Sequence, residues 1–139
     1  MTHQHTSVRA YGILVHDQRV VLVRASNPVG NAPVWWLPGG GLIFAESPEE
    51  ALTREFEEET GLLIAEPELV KVLSDVRRRP NGDKVHSVRV IYRVQLVGGQ
   101  LRDEQEGSTD MARWFDLDTL DEVNLAEYTR HALSEELAK

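Results

Sequence analysis

No cysteine occurs among the 139 residues. Disulfide frameworks, thiol nucleophiles and thiolate metal sites are thereby excluded. Long apolar runs are missing too: the longest are a few residues, against the roughly 20 that a membrane-spanning helix requires. The opening "MTHQHTSVRA" has no charged start followed by an apolar run. It reads as a polar terminus carrying His3 and His5, without a secretory signal. Positive charge is scarce, with 15 Lys and Arg against 23 Asp and Glu and a net charge of −8. That balance argues against general affinity for nucleic acid polymers or anionic membranes. It leaves room for a phosphate-bearing small molecule, because a bound cation reverses the local sign. A cytoplasmic protein with a small-molecule partner is the expectation.

What is present fits one domain over residues 1–139, since 41% apolar residues in a chain of this length supply a core without staples. Two β-branched runs, Ser7 to His16 and Arg19 to Ser26, are separated only by Asp17 and Gln18, the pattern of a hairpin. Asn27 to Pro33 is a loop by its Pro, Gly and Asn content. "VWWLPGGG" reads as a short strand ending in a glycine turn. Ser47 is a good helix N-cap, Pro48 suits the first helical position, and Glu50 completes a capping box. Gly61 stands where a left-handed C-terminal cap belongs, predicting a helix of about fourteen residues. A strand over "ELVKVLSDVRRR", a turn at "PNGD" and a strand from Lys84 to Gly99 follow as a long hairpin. Val88, Val90, Tyr92, Val94 and Leu96 share one face of its second arm. An acidic loop (Leu101 to Asp110), a short strand "ARWFDL" and a mostly helical end from Leu117 to Lys139 complete the chain. Strands before and after a middle helix, with a helix at the end, predict an α+β or α/β sandwich.

The chemistry concentrates around that middle helix, where Glu46, Glu49, Glu50, Glu55, Glu57, Glu58 and Glu59 follow Gly39, Gly40 and Gly41. At about 100° per residue, Ala51, Leu52 and Phe56 mark the buried side. Glu55 and Glu59 fall between Ala51 and Leu52, with Glu58 at the margin. Glu49, Glu50 and Glu57 belong to a solvated face. Inward carboxylates must be protonated, paired or bound to a cation. Arg54, the one basic residue within the helix, reaches Glu50 and Glu58 at i±4 spacing more readily than Glu55 and Glu59. Buried salt bridges are therefore the weaker explanation, and a hard divalent ion held by carboxylate oxygens fits better. The glycines let backbone approach a ligand and offer carbonyl oxygens.

Gly40, five residues, Glu46, seven residues, then "REFEEETGL" resembles the signature of the Nudix (MutT-like) hydrolase family. The match holds at Gly40, Glu46, Arg54, Glu55, Phe56, Glu58, Glu59, Gly61 and Leu62, over residues 40–62. "WWLPGG" and "ARWFDLDTL" are similar to the family's flanks. Ile43 and Ala45 depart from common choices outside the required set, which weakens any subfamily assignment.

The resemblance implies an αβα sandwich around a mixed central β-sheet. It also implies Mg²⁺- or Mn²⁺-dependent hydrolysis of a nucleoside diphosphate linked to another group. An acidic cleft would repel a diphosphate unless metal ions intervened, so charge balance agrees. By matching positions, Glu55, Glu58 and Glu59 are implied metal ligands, with the Gly39 carbonyl as a further one. Arg54 is expected to hold Glu58 or Glu46, and Gly40, Glu46 and Gly61 to be structural. Glu55, Glu104 and Glu106 remain open as the water-activating base, the last two also as extra ligands.

Substrate contacts are less legible. Trp35, Trp36 and Tyr92 either stack on a base or belong to the core, and of two adjacent strand tryptophans only one can face inward. Arg77, Arg78, Arg79, Lys84, Arg89 and Arg93 place six of fifteen basic residues in one hairpin. Alternation puts Arg77 and Arg79 together, as candidate phosphate contacts or as a solvated or dimer-forming face. Family habit points to a homodimer. Nucleotide sugars including ADP-ribose, nucleoside triphosphates and dinucleoside polyphosphates all remain open as substrates. A non-catalytic nucleotide sensor on the same fold is the alternative, and a plain interaction domain with an acidic surface helix is a weaker one.

Overall fold

The computed structural model describes residues 1–26, 33–105 and 107–137. Most of the loop read at Asn27 to Pro33, and Glu106, lie outside them. The first strand, β1 (Gln4–Ile13), runs on to Leu14, and β2 (Val15–His16) follows. β2 alone makes the expected hairpin with β3 (Arg19–Ala25), through Asp17 and Gln18 at φ 54° and 63°. Two central turn residues with positive φ match the twist of the flanking strands. β1 leaves for a different sheet, so the run read as one hairpin arm is two strands with two destinations.

That second destination is a mixed sheet. β1 pairs antiparallel with β5 (Gly39–Gly41) and parallel with β7 (Lys84–Gly99), and β7 pairs antiparallel with β6 (Leu62–Arg78), in the order β5-β1-β7-β6. The glycine triplet is therefore a strand and not a turn. β6 begins directly behind the helix, six residues before the expected start, and ends at Arg78. Arg79 belongs to the turn, so strand alternation does not carry it beside Arg77. The other sheet is antiparallel: β3 sits between β8 (Thr109–Asp116) and β4 (Trp35–Trp36), with β2 at its end.

Alternation along β1 and β3 divides two cores. Tyr11, Ile13, Val20 and Leu22 pack with Leu120, Leu125, Tyr128, Ala132 and Leu133 from the chain's end. Ala10, Leu14 and Val21 point the opposite way, onto Leu52 and Phe56 of α1 (Pro48–Thr60). Helical layers thus cover both faces of a mixed sheet, the α/β sandwich expected. Burying Phe56 and Leu52 contributes about 1.5–3 kcal/mol each, and Phe56→Ala would cost about 3–5 kcal/mol. The terminal segment is helical in three short pieces, a 3₁₀ turn (Leu117–Glu122), α2 (Glu127–Ala132) and α3 (Ser134–Leu137).

α1 is bounded as its caps predict. The Ser47 hydroxyl accepts from the Glu50 N–H at 3.1 Å, and the Glu50 carboxylate accepts from the Ser47 N–H at 2.9 Å. Gly61 closes the helix at φ 78°. Arg102, from the following loop, donates to the Glu57 and Glu58 carbonyls at 3.0 and 3.2 Å. It supplies the positive group that the last turn itself lacks. Trp35 and Trp36 both pack against the core beneath α2, where alternation allowed one. The strand is only two residues long and lies at a sheet edge, so both rings can lean inward.

Candidate active site

α1 carries its acids to the strand β5. Glu59 is 1% exposed, and its carboxylate accepts the Gly39 N–H at 2.7 Å. Gly39 has φ 147°, and a Cβ there would meet the Ala10 carbonyl, so only glycine lets β5 come this close. Burial pushes Glu59 well above the usual carboxylate range; the Gly39 bond opposes this, and the charges of Glu55 and Glu104 reinforce it. Glu55 is raised as well, by burial first, against the Arg54 bond and with Glu58 and Glu104 pushing upward. A Cβ on Gly40 would stand 2.8 Å from the Glu55 carboxylate. The missing side chain is the space that carboxylate occupies. Glu58 lies at the rim with its side chain half exposed, and Glu57 points outward, as the helical wheel requires.

Arg54 organises the mouth. Its guanidinium makes two bonds to Glu46, at 2.8 and 3.0 Å, one to Glu55 at 2.8 Å and one to the Gly41 carbonyl at 3.2 Å. Glu58 is more distant at 3.5 Å. Glu46 is thus the principal partner, and Glu55, which helical spacing placed poorly, is the second. The five-donor fork at the end of a long stem reaches partners that Cα spacing does not suggest. Glu50 is occupied by the cap, and Glu49 accepts from the Tyr92 hydroxyl at 2.7 Å. Glu49 is therefore not merely solvated, and Tyr92 is a core residue. The Arg54 bonds, with the Ile43 N–H, hold Glu46 down at about 2.

Glu104 enters from the acidic loop, accepting from the Thr109 hydroxyl at 2.9 Å and acting electrostatically on both Glu55 and Glu59. Asp103 pins that loop, accepting from the Ala112 N–H at 3.0 Å and from Arg113 at 2.7 Å. Four carboxylates, Glu55, Glu58, Glu59 and Glu104, consequently load one another with negative charge, relieved by Arg54 alone within the helix. Among the described residues no three His, Asp or Glu side chains already converge as a finished cage. Arg54 draws Glu55 aside.

Positive charge lies across the sheet. Arg9 stands opposite Gly41 in the β1–β5 register and donates to the Tyr11 hydroxyl at 2.6 Å. Arg89 donates to the same oxygen at 3.0 Å and to Asp75 at 2.8 Å, and its guanidinium lies 4.1 Å from the Tyr128 ring centroid. Two guanidiniums thus share one phenol with a single carboxylate. Arg89 borders a cavity of about 530 Å³ whose lining also includes Trp36, Asp75, Arg77, Tyr128 and His131. The Tyr128 hydroxyl is buried, and no described group reaches it at hydrogen-bond geometry; Thr129 lies near enough to act on it electrostatically. Of the aromatic and basic candidates, Trp36 and Arg77 line this cavity. Trp35 instead packs edge-on against Phe115 at 4.7 Å, and Arg79 sits in the turn. Arg9 and Tyr11 were not singled out by sequence. Their signal is an arginine two places before a tyrosine, on one face of β1 where its polar first half gives way to its buried second half.

Residues 3–135 match the sequence model of the NUDIX domain. The chain belongs to the Nudix family. The ADP-ribose pyrophosphatase of Methanocaldococcus jannaschii is 33% identical over 117 residues, covering 84% of this chain and 65% of that Nudix relative. The chain therefore spans just under two thirds of its length. Among solved structures, the MutT NUDIX hydrolase from Burkholderia pseudomallei superposes with a TM-score of 0.79 at 30% identity, over 94% of this chain and 97% of that one. The NUDIX domain of Shewanella oneidensis NrtR, complexed with ADP ribose, gives 0.69 at 27% identity, over 99% and 88%. The residues 40–62 that carried the resemblance are the loop and helix holding Glu46, Arg54, Glu55, Glu58 and Glu59.

Proposed function

We propose that this Nudix chain is a divalent-metal-dependent hydrolase, cleaving the diphosphate of a small nucleotide in which a nucleoside diphosphate is linked to another group. The observation that carries the reading is the placement of the desolvated carboxylates Glu55 and Glu59 against the bare backbone of Gly39 and Gly40. Arg54 is shared between Glu46 and Glu55 and makes no bond to Glu59.

The donor set fits a hard ion. Every donor is an oxygen, the charges repel one another unless a cation joins them, and the space beside Glu55 is one a Cβ would fill. Glu55, Glu58 and Glu59, with the Gly39 carbonyl, would hold Mg²⁺ or Mn²⁺. Such an ion, when bound, supplies phosphate charge neutralisation and a more acidic water. The chain's own residues do the rest. Arg54 and Glu46 fix the direction of the Glu55 carboxylate, and the Gly39 N–H fixes that of Glu59. Glu55 and Glu104 are the groups positioned to take a proton from water. Arg9 and Arg89 orient the phosphates by charge-assisted hydrogen bonds, while Trp36 and Arg77 meet the nucleoside end in the cavity. The same reading includes a cytoplasmic location, no nucleic acid polymer as partner, and a homodimer.

The similarity to proteins named for ADP-ribose makes that the first substrate to test. A panel of ADP-ribose, other nucleotide sugars, nucleoside triphosphates, dinucleoside polyphosphates and a 5′-triphosphorylated RNA, each with Mg²⁺ or Mn²⁺, should show release of a nucleoside monophosphate from the true substrate. Tight metal-independent binding of ADP-ribose with no turnover of any panel member would overturn the hydrolase and favour the sensor.

A further inference from the structure

β8 begins with a threonine that the sheet buries. Thr109 is 1% exposed, opposite Ala25 in the β3–β8 register. A buried hydroxyl is costly when it lacks a hydrogen bond, and this one donates to the half-buried Glu104 carboxylate at 2.9 Å. Gly107 completes the seat, because a Cβ there would fall on that same carboxylate. Glu104 therefore occupies the space of a missing side chain, just as Glu55 occupies the space left at Gly40.

The loop around this seat is tied down on both sides. Ahead of Glu104, Arg102 gives its N–H to the Thr60 carbonyl at 2.8 Å and its guanidinium to the last turn of α1. Asp103 accepts from the Ala112 N–H and from Arg113. Behind Glu104, Ser26 donates its hydroxyl to the Gly107 carbonyl at 3.1 Å and its N–H to the Ser108 carbonyl at 3.0 Å. The backbone carrying Glu104 is thus fixed to the ends of α1 and β3. Its side chain is a different matter. Glu55 and Glu59 share its sign and feel its charge, so repulsion favours rotamers that swing Glu104 out to solvent. The Thr109 bond, made to a carboxylate, is the printed contact that resists this swing.

We propose that Thr109 and Gly107 are positioning residues for the hydrolysis, holding the Glu104 carboxylate beside Glu55 and Glu59 against their mutual repulsion. The inference rests on the hydrolase reading, in which Glu104 is one of the groups placed to take a proton from water, and it adds the residues that keep it there. Thr109 acts only through Glu104. A threonine that used Glu104 merely to satisfy its own buried hydroxyl would affect folding and leave turnover alone.

The test is a double-mutant cycle, assayed with Mg²⁺ and the panel substrate that the wild type turns over, with a thermal melt of each variant. Thr109→Val should lower kcat by about tenfold or more while KM stays within about threefold. Thr109→Ser, which keeps the hydroxyl, should recover kcat to within about threefold of wild type. Gly107→Ala displaces only the end of a flexible side chain, so it should melt near the wild type yet lose about tenfold in kcat. In the Glu104→Gln background, neither Thr109→Val nor Gly107→Ala should lower kcat by more than about threefold further.

A wild type inert on every panel member overturns the hydrolase reading, and this inference with it. An active wild type whose kcat is unmoved by Glu104→Gln overturns the inference alone. So does Thr109→Val that is equally damaging with and without Glu104, or a folded Thr109→Ser as slow as Thr109→Val. If Thr109→Val does not fold, Gly107→Ala decides by the same comparison, and its full turnover overturns the seat.

Discussion

Gly39 gives its backbone N–H to the carboxylate of Glu59 at 2.7 Å, twenty residues away in sequence. The bond locks the strand β5 to the buried side of α1. It also leaves Glu59 with a second oxygen and no ion pair to a described residue, with Arg9 easing its charge only from a distance. Every inward acid of the helix inherits its surroundings from that junction.

Glu59→Gln keeps the shape and an oxygen to accept the Gly39 N–H while removing the buried charge. Turnover at saturating metal should fall by about 10²–10⁴-fold. Melting in excess chelator should show stability held or raised, since a desolvated negative charge is gone. Glu57→Gln, on the exposed face, should change kcat by less than roughly threefold, with stability within about 0.5 kcal/mol. Equal damage at the two positions would mean that burial does not select the working carboxylates.

The helix itself is what local sequence made legible. Ser47, Pro48, Glu50 and Gly61 act within a turn of their own positions, so caps, length and inward face all follow from neighbours in sequence. The partners of β1 do not. Whether it pairs with β3 or β7 depends on which arrangement buries Tyr11 and Ile13 beneath α2 while turning Ala10 toward Phe56, and that is settled by contacts distant in sequence. The same limit hid Arg9 and its meeting with Arg89, which happens only because strands 80 residues apart lie side by side. It also hid Arg54's hold on Glu55, which depends on side-chain reach rather than on the helical wheel.

Glycines 39 and 40 should separate folding from function. Gly39→Ala forces a left-handed φ and a clash with the Ala10 carbonyl, so it should destabilise by more than the roughly 1–3 kcal/mol of backbone strain alone. Gly40→Ala meets only the Glu55 carboxylate, a flexible group. It should cost less than about 1 kcal/mol yet reduce kcat by about tenfold or more by displacing Glu55. Thermal melts and steady-state kinetics on the pair read both quantities.

For the arginines across the sheet, Arg9→Ala should raise KM by about tenfold with a smaller effect on kcat, the signature of a contact made equally in ground and transition states. Arg77→Ala should raise KM more than Arg79→Ala, because only the former borders the cavity. Unchanged KM in all three would detach the cavity from substrate binding.

Acid stability should report the Arg54 brace. Glu46 has a folded value of about 2 against 4.5 unperturbed. A depressed carboxylate stabilises above its unfolded value, and that contribution disappears as pH falls from about 4.5 toward 2. Melting temperature of the wild type should therefore drop more steeply over this interval than that of Glu46→Gln. Parallel curves would show that the pair contributes nothing to folding.

The parallel ladder between β1 and β7, which sets Gln4 opposite Lys84 and Thr6 beside His86, has a consequence during synthesis. As the chain leaves the ribosome, β1 emerges first but cannot be paired on that side until about eighty more residues have been made. At roughly 5–20 residues per second this is a wait of about 4–16 s. α1 can coil during that time, since its caps need nothing distant. Its apolar side, with Leu52 and Phe56, has only an incomplete sheet to settle on. The interval leaves an unpaired strand, apolar mainly in its second half, open to chaperones and to neighbouring nascent chains, and it closes when Lys84 to Gly99 arrives.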